Sequence, residues 1–134
     1  MPGAPAAKMG DQVVASDIHI ILVPAPPGAP VPTPVPHPFA GIITGGCSTN
    51  VLIESKPAAT LGSTATNTPP HIPIGGPFAK PPTNQATIMI GSATVLINNK
   101  PAARAGDRAM TCNDPVDLPV GTVVVPGGTV LIGG

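Results

Sequence analysis

Pro5-Ala6-Ala7-Lys8-Met9-Gly10-Asp11 returns as Pro57-Ala58-Ala59-Thr60-Leu61-Gly62-Ser63, and again as Pro101-Ala102-Ala103-Arg104-Ala105-Gly106-Asp107. A fixed phrase recurring at intervals of about 20–50 residues marks one structural unit used several times. The flanks repeat as well. Val51-Leu52-Ile53 leads into the second copy and Val95-Leu96-Ile97 into the third. Val130-Leu131-Ile132 stands at the C-terminus, and the phrase that should follow it stands at the N-terminus. The third unit is therefore split between the two ends. This predicts a closed, pseudo-threefold object whose termini meet.

The chain has 134 residues, the size of one small domain spanning 1–134. Its 21 prolines and 16 glycines would suit a disordered chain, but its apolar fraction is 42% and only 9% of residues are charged. Disordered chains lack that apolar content. Net charge is zero and aromatics are almost absent, which argues against nucleic acid as a partner. No apolar run approaches the ~20 residues of a membrane-spanning helix. Met1-Pro2-Gly3 does not begin a signal peptide, so synthesis in the cytoplasm is expected.

β-branched runs broken by glycine-rich turns predict an all-β fold. Gly41-Ile42-Ile43-Thr44 is expected to pair with Thr49-Asn50-Val51-Leu52-Ile53 across Gly45-Gly46-Cys47-Ser48. Thr87-Ile88-Met89-Ile90 is expected to pair with Ala93-Thr94-Val95-Leu96-Ile97 across Gly91-Ser92, and Thr122-Val123-Val124-Val125 with Thr129-Val130-Leu131-Ile132 across Pro126-Gly127-Gly128. An isolated hairpin is marginal in water, so the three must pack together. Pro26, Pro27, Pro30, Pro32, Pro34, Pro36 and Pro38 forbid helix in the long first loop and favour extended chain.

A small chain with long Pro/Gly-rich loops needs a staple. His19 lies eight residues after Asp11, and His71 eight after Ser63; Cys112 lies five after Asp107 in a shorter loop. The same place in three units thus offers His, His and Cys. His37 breaks the symmetry, since Pro38-Phe39-Ala40 matches Pro77-Phe78-Ala79 but Gly76 stands where His37 would. Zinc takes four tetrahedral N/S ligands in structural sites, and His19, His37, His71 and Cys112 make such a set. The bland alternative is surface histidines and a buried thiol. The rival staple is a Cys47–Cys112 disulfide, but the repeat places the two cysteines in different layers and Cys47 in a turn. Asp11 and Asp107 are read as turn caps and Lys8 and Arg104 as residues on a solvated face, not as catalytic groups.

Pro101-Ala102-Ala103-Arg104, with the hairpin, phrase and loop order around it, resembles the PAAR-repeat family over nearly the whole chain. The stretch from Thr87 to Pro115, His37-Pro38-Phe39 and Pro69-Pro70-His71-Ile72-Pro73 carry the likeness, while Lys8 and Thr60 depart from the fourth letter of the name. The resemblance implies a small cone of β-hairpins that caps the trimeric β-helical spike of a contractile injection machine, one copy per trimer. The machine is a type VI secretion system or a phage-tail-like device. The resemblance further implies an apical zinc ion held by histidines and a cysteine, effectors fused to the cone or carried on it, and transient contact with the target membrane; for this sequence, cargo is expected to ride non-covalently. Docking is expected around Ile42, Ile88 and Val123, with the zinc loops pointing away.

Two other classes compete. A zinc-dependent hydrolase would need a vacant coordination position and a nearby base, and no such base is recognisable. A delivered toxin would need residues beyond the repeat, and only Gly133-Gly134 follow the last apolar triplet. The expected protein is a structural tip, not an enzyme.

Overall fold

The computed structural model describes residues 3–114, 116–126 and 128–133; Gly127, in the third predicted turn, lies outside them. The described strands are β1 (Ala4–Pro5), β2 (Gln12–Val23), β3 (Val31–Gly45), β4 (Leu52–Ile53), β5 (Lys56–Pro57), β6 (Thr64–Asn67), β7 (Gln85–Ile88), β8 (Leu96–Ile97), β9 (Lys100–Pro101), β10 (Arg108–Thr111), β11 (Leu118–Val124) and β12 (Leu131–Ile132). The all-β prediction holds. Among the described residues no helix is long and apolar enough to cross a membrane.

Each unit gives two strands to a closed antiparallel barrel, in the order β10-β11-β2-β3-β6-β7. Each unit also gives half-strands to a two-stranded ribbon, namely β4-β5, β8-β9 and β1-β12. The β1-β12 ribbon pairs Ala4 with Ile132 and Pro5 with Leu131, so the two ends of the chain complete the third unit.

The repeat phrase forms the axis. Ala7 N–H donates to Ala103 O (2.9 Å), Ala103 N–H to Ala59 O (3.0 Å) and Ala59 N–H to Ala7 O (3.0 Å), a closed ring of backbone hydrogen bonds. Alanine stands there because three backbones approach one another and larger side chains would hold them apart. Gly10, Gly62 and Gly106 follow at φ 96°, 93° and 89°, where a Cβ is strained. Their N–H groups reach Ile43 O, Ile88 O and Val123 O at 2.9, 2.8 and 2.9 Å. Asp11, Ser63 and Asp107 close the same turn: their side-chain oxygens accept the N–H of Lys8, Thr60 and Arg104 at 3.0, 2.9 and 2.8 Å. The carboxylates are the caps that the sequence implied.

Two apolar layers stack along this axis. The second alanine of each phrase joins the barrel core, with Val13, Phe39, Ile43, Ala65, Ile88, Ala109 and Val123. The first alanine (Ala6, Ala58, Ala102) joins an end layer with Ile53, Ile97 and Ile132. Burying each such isoleucine contributes about 1.5–3 kcal/mol.

Three expectations are corrected. The apolar triplets do not pair backward with the preceding runs. Leu52-Ile53 pairs forward with Lys56-Pro57 and Leu96-Ile97 with Lys100-Pro101, through two-residue turns in which Glu54, Ser55, Asn98 and Asn99 all have positive φ. Positive φ at both central residues is the hairpin geometry that matches strand twist. Two of the three residues expected to dock, Ile88 and Val123, are enclosed, while Ile42 is half-buried. Ile88 and Val123 are each 1% exposed in the barrel core and cannot meet a partner. Their counterpart in the first unit is the buried Ile43 rather than Ile42. Finally, Lys8 is buried at 5% exposure rather than solvated, because its ammonium folds back onto the Asp11 carboxylate at 3.1 Å.

Candidate metal centre

The long β2-β3 hairpin builds one wall of the site. Along an extended strand, residues two apart share a face. Asp17, His19 and Ile21 are accordingly buried on β2, and His37, Phe39, Gly41 and Ile43 on β3. Asp17 stands opposite His37 and His19 opposite Val35 in the ladder. His71 comes from the loop after β6, and Cys112 follows β10 directly. All five chemistry-bearing residues therefore gather at the barrel end away from the isoleucine layer.

One ligand atom from each of Asp17, His19, His71 and Cys112 lies within 4.8 Å of the others, and all four residues are buried. His37 packs beside them, its ring centroid 5.5 Å from that of His19 and 5.8 Å from that of His71. The structure brings the four sequence-predicted ligands into one end of the barrel, three of them in the tight group. It adds Asp17, which spacing alone missed. The available signal was its position two residues before His19, informative only once residues 12–23 are known to be a strand.

The donors are oriented by neighbours. His37 Nδ1–H donates to Val35 O at 2.8 Å, leaving a buried Nε2 lone pair without a partner. A backbone acceptor on the far ring nitrogen is the usual support for a metal-bound imidazole. His19 Nε2 is 3.7 Å from Cys112 Sγ, and its Nδ1 is 3.5 Å from Asp114 Oδ2, too far for a hydrogen bond. Burial, and then the neighbouring His71, push the His19 pKa down, which keeps it neutral and able to ligate. The Cys112 thiol is pushed up to about 11, first by burial and then by the Asp17 charge. Metal binding must take its proton, since the thiolate is the ligand. Buried imidazole nitrogens without partners, a thiol and a carboxylate within reach fit a divalent N/S/O site. A pocket of about 300 Å³ is lined by His37 and His71 together with Pro38, Pro69, Pro70 and Ile72.

Cys47 is half-buried against the barrel core, and both cysteines are free. Burial raises the Cys47 pKa as well.

Comparison with known proteins adds one positive result. A family model described as PAAR motif matches residues 33–116 and 78–134, well over half of the chain. No curated protein matches it. The matched span includes His37, His71 and Cys112, and stops short of Asp17 and His19.

Proposed function

The chain belongs to the PAAR motif family, and from that premise we propose that it is a structural spike tip. It caps the trimeric β-helical spike of a contractile injection machine and is tied at its apex by one zinc ion. The observation that carries this reading is the end opposite the metal cluster. Leu52, Leu96 and Leu131 are 58%, 59% and 54% exposed, one from each unit. Each sits beside a buried isoleucine of the end layer, on the other face of its ribbon. Three equivalent exposed leucines around an apolar end fit a partner with three equivalent subunits. Exposed apolar groups in such an arrangement mark an interaction surface. These leucines replace Ile88 and Val123 as the docking contacts.

The metal supplies charge and rigid ligation at the other end, where Asp17, His19, His37, His71 and Cys112 are the available donors. A structural zinc contributes directly to folding in a domain this small. The family is one of structural tips, and no step of chemistry is assigned to the cluster. The protein is made in the cytoplasm, assembled on the spike and ejected with it; effectors would ride non-covalently, and contact with the target membrane is mechanical and brief.

The test is native mass spectrometry of the chain mixed with a trimeric β-helical spike protein. The expected complex holds one chain per trimer. Glutamate at Leu52, Leu96 and Leu131 together should abolish it while leaving zinc content and the folded circular dichroism spectrum intact. A homotrimer of this chain, or binding unaffected by the triple substitution, would defeat the docking model.

A further inference from the structure

The projecting end of the β2-β3 hairpin leaves no outward N–H unpaired. On β2 the N–H groups of Ile18, Ile20 and Leu22 point away from β3. All three are taken, by Asn113 Oδ1 at 2.7 Å, Asp114 Oδ2 at 2.9 Å and Pro77 O at 2.9 Å. Their ladder partners on β3 are Pro36, Pro34 and Pro32, which have no N–H to offer. Pro38 continues the series, and the next outward donor, the Ala40 N–H, goes to Asn67 Oδ1 at 2.9 Å. In water an edge N–H is solvated readily, so an aqueous edge does not require this. A medium of low polarity does require it, because an unpaired N–H is expensive there.

The side chains at this end agree. Residues 18–53 and 57–79 contain no Asp, Glu, Lys or Arg. Val31 at the hairpin tip, Ile72 and Ile74 in the loop after β6, and Val116 and Leu118 at the entry to β11 are 40–71% exposed. Among the described residues the exposed charges beside them are Lys80 and Asp117, of opposite sign. Glu54, Lys56 and Lys100 stand in the ribbons of the leucine end instead. A protein partner finds neither a charge pattern nor a donor-bearing strand edge to recognise at the hairpin. A lipid surface asks for neither, only for apolar area to bury.

We infer that the cluster end of the molecule binds the surface of a lipid bilayer, seating Val31, Ile72, Ile74, Val116 and Leu118 among the headgroups and upper acyl chains without help from anionic lipid. This rests on the membrane contact proposed above and adds an equilibrium affinity to the mechanical push. The carbonyls of Pro32, Pro34 and Pro36 stay at headgroup level, where water reaches them, and Lys80 extends its ammonium into the same layer.

The experiment is flotation of the full chain, without spike protein, on vesicles of phosphatidylcholine alone. The chain is expected to float with the vesicles equally at low and at high salt, because no exposed charge pair drives the contact. Ile74→Glu with Val116→Glu should lower the partition coefficient at least about tenfold, the loss of one or more buried aliphatic contacts. Hydrogen exchange on the vesicle-bound wild-type chain gives a readout that does not depend on the variant folding. Protection is expected over residues 72–76 and 116–118, with exchange at 54–56 and 98–100 unchanged. Failure to float, binding that needs anionic lipid or disappears in salt, a double variant that folds and floats like wild type, or protection at the leucine end would each overturn the inference. The one-to-trimer complex is measured without lipid, so failure of spike docking and failure of lipid binding are read separately.

Discussion

Ala7, Ala59 and Ala103 show how much a single methyl group decides here. Each is fully buried, and each donates and accepts in the ring that joins the three units. Ala59→Leu should force the ring open and cost at least the ~1–3 kcal/mol typical of overpacking, measured as a shift in the urea midpoint. A midpoint equal to wild type would mean that the ring tolerates expansion. Cys112 sets a second expectation. Its folded pKa is raised from 9.0 to about 11. A raised pKa stabilises below the unfolded value, and that stability is lost as pH climbs from about 9 to about 11. At about 1.4 kcal/mol per pH unit, the metal-free protein should lose up to ~3 kcal/mol over that window. His19 acts at the acid side: its depressed pKa means stability falls as pH drops below 6.5. Zinc-loaded protein should show no alkaline loss, because its thiol is already ionised. Urea titrations at pH 8 and pH 10.5, with and without zinc, check both points, and an alkaline slope that survives zinc would exclude Cys112 as a ligand.

The β2-β3 hairpin is the element that sets this chain apart from a symmetric barrel. The N–H groups of Ile18 and Ile20 turn away from β3, to Asn113 Oδ1 at 2.7 Å and Asp114 Oδ2 at 2.9 Å. Their ladder partners Pro36 and Pro34 therefore also face outward, at the positions where an edge strand would offer N–H groups. Proline removes those donors, and an edge without donors cannot template another strand. Pro34→Thr with Pro36→Thr should leave the barrel folded and make the protein self-associate, visible by light scattering; a monomer at high concentration would refute this role. The prolines read from sequence as extended chain do lie in a strand. What the sequence hid was pairing. Asn98-Asn99 carries a visible turn signal, but Glu54-Ser55 does not, and the glycines at 45–46 and 91 drew attention to the wrong turns. Lys8 is buried because its salt bridge closes within its own turn, a contact that composition does not reveal. The ligand loops were legible because the repeat fixed their register, whereas Asp17 needed the strand period.

Across the whole molecule, the split third unit implies that the position of the chain ends is incidental to the fold. Ile53-Glu54-Ser55-Lys56 and Ile97-Asn98-Asn99-Lys100 are closed hairpins; Ile132 and Ala4 occupy the matching places with the connection missing. Joining Gly133 to Gly3 would give Ile132-Gly133-Gly3-Ala4, the same two-residue spacing, with glycines that accept positive φ without strain. New ends can then be cut between Asn98 and Asn99, in an exposed turn of the kind where permutation is tolerated. The permuted chain should keep the alanine ring, the barrel and the leucine triad, since none of these spans the new cut. It should bind one zinc, melt within a few degrees of the parent and form the same one-to-trimer complex. A permutant that folds but no longer binds the trimer would place an essential contact at Asn98-Asn99 rather than in the leucines. One that fails to fold would show that the open β1-β12 ribbon is not equivalent to the other two, and the threefold argument for docking would fail with it.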